Sequence, residues 1–172
     1  MKEPMQAIDI WIKTLGQFSL EELITQPGPD TWSIGQLYNH LILDTSYFLD
    51  QAVICASSNN HALEEMSPVA KSFFQNQSFP DKRIPGSPTH MDIPQPVNKE
   101  FLMDSLLDLK NKLAQTQAMV ANTAYKGKTN HPGLGYFNAT EWLQFAEMHF
   151  QHHIRQKKRI DIFLKKRLAL PD

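Results

Sequence analysis

The chain has 172 residues, of which 41% are hydrophobic and 20% charged, with a formal net charge of −1; that is enough for one domain, 1–172, around a continuous core and short for two. The balance of charge gives no general pull toward nucleic acid or an anionic membrane, and no apolar run reaches the length of a bilayer span. Met1-Lys2-Glu3-Pro4-Met5 lacks the apolar core of a signal peptide, and a lone cysteine, Cys55, excludes an internal disulfide, so a cytoplasmic protein is the expectation.

Ile8, Trp11, Ile12 and Leu15 form one apolar stripe at helical spacing, ended by Gly16. Ser19 and Glu22 have capping-box spacing for a short helical piece to about Gln26, after which Pro27-Gly28-Pro29-Asp30 turns the chain. Ser33 and Gln36 repeat the box at the start of a second long helix. Its periodic residues are Leu37, His40, Leu41, Asp44, Tyr47, Phe48 and Gln51, and Ser57-Ser58-Asn59-Asn60 mark its end.

Residues 59–97 read as irregular, because Pro68, Pro80, Pro85, Pro88, Pro94 and Pro96 forbid a long helix. One short turn of helix is expected within Ser67 to Gln75, and Phe73, Phe74 and Phe79 mark the stretch as packed. A connection this long is commonly a functional lid or a crossover. The third long helix runs from Asn98 to about Asn122 and buries Leu102, Leu106, Leu109, Leu113 and Val120. Gly127, Pro132, Gly133 and Gly135 then predict a polar hinge. Asn138 and Glu141 have capping-box spacing for the last helix, to about Leu168. Its inner face carries Trp142, Phe145, His149, His153, Gln156, Ile160 and Phe163. Four amphipathic helices in this length predict an all-α four-helix bundle, with a long crossover connection between the second and third.

His149 and His153 are four residues apart, on one face of a helix and one turn apart, where two ring nitrogens can converge on one ion. That face is apolar, and His40 also lies on a core face, between Leu37 and Leu41. Spacing alone leaves two readings: a metal site with positions open to water or substrate, or histidines that serve only as core residues. His152 points to the other side of His149, as a rim residue or a substitute ligand, and non-ligand is the preferred reading. Asp44 follows His40 by one turn. There it either fixes an imidazole tautomer or takes a proton from ion-activated water, or it is an exposed edge residue. Gln156, two turns beyond His149, is placed to hold a water or a substrate group. His131 is expected to position the turn before the last helix. The basic residues from Arg155 to Arg167 suit a solvated helix C-terminus better than nucleic acid.

The stretch Trp32-Ser33-Ile34-Gly35-Gln36-Leu37-Tyr38-Asn39-His40 resembles the entry to the second helix of the DinB-like (DinB/YfiT) superfamily. His131-Pro132-Gly133-Leu134-Gly135 is similar to that family's turn before its last helix, and His149-Phe150-Gln151-His152-His153-Ile154-Arg155-Gln156 to its histidine run. The resemblance covers about residues 30–160. It implies metal ligands at His40, His149 and His153, a divalent ion (zinc or nickel most naturally) and a homodimer. It also implies a metal-dependent enzyme acting on a small-molecule substrate. That enzyme is either a hydrolase or a transferase or isomerase that uses a low-molecular-weight thiol. The alternative is a non-catalytic dimeric stress-response or binding module with a structural or vestigial metal.

Overall fold

The computed structural model describes residues 6–80 and 93–168. The N-terminal pentapeptide and residues 81–92, with Pro85 and Pro88 of the irregular stretch, lie outside the described residues. The fold is mostly helical: α1 (Gln6–Leu15), α2 (Leu20–Ile24), α3 (Ile34–Cys55), α4 (Pro68–Asn76), α5 (Lys99–Asn122) and α6 (Ala139–Leu168), with a hairpin of β1 (Lys128–His131) and β2 (Gly135–Asn138) before α6. Among the described residues no helix is long and apolar enough to cross a membrane.

The helix starts follow the local chemistry of the chain. At α2 the Ser19 hydroxyl accepts from the Glu22 amide at 3.2 Å, and the Glu22 carboxylate accepts from the Ser19 amide at 2.8 Å. Ser33 and Gln36 make the same exchange at α3, each contact 3.1 Å, and Asn138 and Glu141 make it at α6, at 2.7 and 2.9 Å. Each box satisfies two of the amide donors that a helix N-terminus leaves open. The short turn expected near residue 70 is a nine-residue helix, α4, capped by the Ser67 hydroxyl with Pro68 in its first turn.

The segment expected to be a polar hinge is instead the β-hairpin. Lys128 pairs with Asn138 and His131 with Gly135, around the loop Pro132-Gly133-Leu134. Gly133 and Gly135 have φ of +87° and +80°, a region that glycine enters without steric cost. Gly135 is also a close-approach point, since a Cβ there would stand 2.8 Å from the Glu65 carbonyl oxygen. The chain at Glu65–Ser67 lies along β2, with the Ser67 amide donating to Leu134 O (2.8 Å) and the Tyr136 amide to Glu65 O (3.2 Å). The fold is therefore helical with a two-stranded addition, where sequence periodicity gave helices only.

α3 is central, packing on both α5 and α6, while α1 packs on α5 and α6. α3 and α6 run in opposite directions: His40 meets His149 and His153, Phe48 meets Phe145 and Trp142, and Cys55 meets Phe137. The core has two parts. One gathers Trp11, Leu37, Tyr38, Leu41, Leu106 and Phe150. The other gathers Phe48, Ala52, Phe137, Trp142, Phe145 and Met148. His40 and His149 stand where the two parts meet along α3 and α6.

Candidate metal centre

Two helices bring the histidines together, and each is held in register near its start. The first turn of α3 is clamped by a distant segment: Gln36 Nε2 donates to Ile93 O at 2.7 Å, Asn39 Nδ2 to Pro94 O at 2.9 Å, and Ser33 Oγ to Gln95 Oε1 at 2.7 Å. Gly35 leaves room for this clamp, because a Cβ there would come within 2.5 Å of the Pro96 ring. His40 follows directly and is only 3% exposed. The Trp32 ring covers it at a centroid distance of 4.8 Å. On α6, His149 and His153 are each 8% exposed, and Phe48 lies edge-on to His149 at 5.4 Å.

The three Nε2 atoms form a nearly equilateral triangle. His40 to His149 is 3.1 Å, His40 to His153 is 3.0 Å, and His149 to His153 is 3.1 Å. The rings stand edge-on to one another, with interplanar angles of 68°, 80° and 88°. A neutral ring nitrogen is either a donor or an acceptor. Three nitrogens in a triangle therefore include at least one like pair, and at most two of the three contacts can be hydrogen bonds. A cation resolves this conflict, since all three lone pairs then face the same centre. Nitrogens about 2.0–2.1 Å from one ion, at angles of about 90–110°, stand roughly 2.8–3.4 Å apart, and the observed separations fall in that range. The donor set, three buried imidazoles, suits a divalent first-row metal. Among the described residues this is the trio of His, Cys, Asp or Glu ligand atoms that converge, all within 4.8 Å.

The neighbours are polar on two sides. Asp44 Oδ2 is 3.6 Å from His40 Nδ1 and 3.8 Å from His149 Nε2, with its side chain 18% exposed. Asp44 thus faces the triangle and is not an edge residue turned to solvent. Gln156 Oε1 is 2.9 Å from His153 Nδ1. Gln156 thereby contacts the His153 ring.

His152 and His131 lie outside the triangle. His152 Nδ1 accepts from Arg155 at 3.2 Å and its ring packs on Phe79 at 5.7 Å, so it sits on the rim beside His153. His131, on β1, stacks on Trp142 at 5.6 Å and lies 4.9 Å from Phe145. Burial holds its imidazole below the ordinary histidine range, opposed in part by the backbone at Pro132. The covering role of Trp32 and the clamp at Ile93–Gln95 were missed from sequence. The clamp joins Gln36 to a segment 57 positions away, for which no local pattern exists, and Trp32 stands before the helix that carries His40, outside the reach of helical periodicity. Cys55 is buried against Thr129 and Phe137, and burial pushes its thiol up, away from nucleophilic character.

The family model of the DinB superfamily matches residues 6–156. The chain belongs to the DinB superfamily. No curated protein and no solved structure matches it. The DinB-superfamily match runs from the start of α1, encloses all three histidines of the triangle, and closes at Gln156.

Proposed function

We propose that this DinB-superfamily chain is a metal-dependent enzyme that holds one divalent ion, zinc or nickel, through the Nε2 atoms of His40, His149 and His153. The observation that carries the reading is the mutual 3.0–3.1 Å spacing of three buried nitrogens that cannot all satisfy one another. When bound, such an ion supplies Lewis acidity, lowering the pKa of a water or a thiol at neutral pH. The reaction is accordingly a hydrolysis, or a transfer or isomerisation with a low-molecular-weight thiol, on a small-molecule substrate.

The chain's own residues supply the rest. Asp44, beside both His40 and His149, is placed to take the proton released when the nucleophile forms. Trp32 and Phe48 wall the centre with aromatic surface and keep bulk water from the imidazoles. The scaffold we propose is a single domain, 1–172, in which α1, α3, α5 and α6 form a four-helix bundle. α3 and α5 are parallel in it and the connection between them is the crossover. In support, Pro96 faces Gly35, Lys112 reaches Ser46 and Asp50, and Thr123 donates to Ala56 O, so the two helices' numbers rise together. A cytoplasmic homodimer that binds no nucleic acid completes the proposal.

Metal content of the purified protein beside His153→Ala is the test. The expected result is about one ion per chain in the parent, and none in a variant that keeps its helical circular dichroism. A panel of ester, amide and electrophilic substrates, with zinc or nickel and with or without thiol, then separates hydrolysis from thiol transfer. Metal-free parent protein, or a variant that keeps its ion, would overturn the reading.

A further inference from the structure

Gln156 is half-buried, three residues after His153 on α6, and its amide oxygen lies 2.9 Å from His153 Nδ1. A carbonyl oxygen only accepts, so the hydrogen in this contact belongs to Nδ1. A neutral ring with its hydrogen on Nδ1 carries its lone pair on Nε2. That Nε2 is the atom 3.0 Å from His40 and 3.1 Å from His149. The opposite amide orientation would turn the Gln156 NH2 toward Nδ1, put the hydrogen on Nε2, and block the centre of the triangle.

We infer that Gln156 is the positioning residue of the histidine triangle: it holds His153 in the Nδ1–H tautomer, so that Nε2 always faces the centre as an acceptor. The purpose of this arrangement rests on the metal-site reading, but the tautomer does not depend on an ion. Gln156 acts through His153 and touches neither substrate nor ion. An outer partner of this kind commonly changes metal affinity about 10–100-fold when removed. Because the partner is a neutral amide, a carboxylate in its place accepts from Nδ1 more strongly and makes the ring a better ligand.

The test uses the full chain in two measurements. Long-range proton–nitrogen NMR of the imidazoles, in chelator at about pH 8 where histidine is neutral, reads the tautomer directly. Competition with a chromophoric chelator reads zinc affinity. The parent shows His153 with its hydrogen on Nδ1. Gln156→Leu loses that single tautomer and binds zinc about 10–100-fold more weakly, whereas Gln156→Glu restores Nδ1–H and binds at least as tightly as the parent. Three results overturn the inference: a parent His153 carrying its hydrogen on Nε2, a Gln156→Leu protein unchanged in both measurements, or Gln156→Glu no better than Gln156→Leu. If the parent fails to bind zinc yet its Nδ1–H tautomer depends on Gln156, the metal reading falls and the positioning role stands.

Discussion

Among the described residues, two histidine environments do opposite things with the ring, one buried where α3 meets α6 and one half-buried on β1. At the meeting of α3 and α6, three imidazoles point their Nε2 atoms at one another. On β1, His131 lies alone among Trp142, Phe137 and Phe145, as one more ring in an aromatic cluster. Packing against aromatic rings is therefore not what marks a candidate ligand. Convergence of lone pairs is, and it creates a conflict that His131 does not have.

The largest expected effect separates the two places by stability in chelator. His131→Ala removes a packed ring and should cost about 2–4 kcal/mol. His149→Leu leaves His40 and His153 as a pair that one hydrogen bond satisfies, so it should cost less than about 1 kcal/mol. Urea denaturation compares them, and equal losses would erase the distinction. Next in size is the response to zinc. At a free concentration 100 times the dissociation constant the ion should add about 2.7 kcal/mol, or roughly 5–10 °C in Tm for a chain of this size. The shift should appear in the parent and in His131→Phe and be absent from His149→Leu; a shift in all three would place the ion elsewhere.

A smaller effect concerns acid. Burial lowers the folded-state pKa of His131. As pH falls below about 6.5 the unfolded chain takes up its proton first. Stability from this group is thus present above that pH and lost as pH falls toward the depressed folded value. Between pH 7 and 5, His131→Phe should show a shallower loss of denaturation free energy than the parent, and identical slopes would count against the assignment. The smallest effect is expected at Asp44, which stands off from both nearby rings at 3.6 and 3.8 Å. Asp44→Asn should weaken zinc binding by at most about tenfold, with a larger loss making Asp44 part of the ion's own shell.

The same contrast between local and distant contacts explains what could be read from the chain. The capping boxes at Ser19, Ser33 and Asn138 are four-residue patterns, and they start helices where the sequence said they would. The His149–His153 pair is also local, one turn of α6. That His40 joins them across 109 positions is not a local fact: its core-facing position made it a candidate, and the resemblance to a family singled it out. The hairpin escaped because Lys128-Thr129-Asn130-His131 has little strand character of its own. Its pairing is reinforced from outside by Glu65–Ser67, and the Gly133 and Gly135 turn signal fits a hinge as well as a hairpin.

Anomalous diffraction from crystals grown with zinc, recorded above and below the metal's absorption edge, tests the central claim most directly. The account predicts one peak at about 2.0–2.1 Å from the Nε2 atoms of His40, His149 and His153. A protein that diffracts with no peak among those rings, or with its ion bound only at His131 or on the surface, would contradict it.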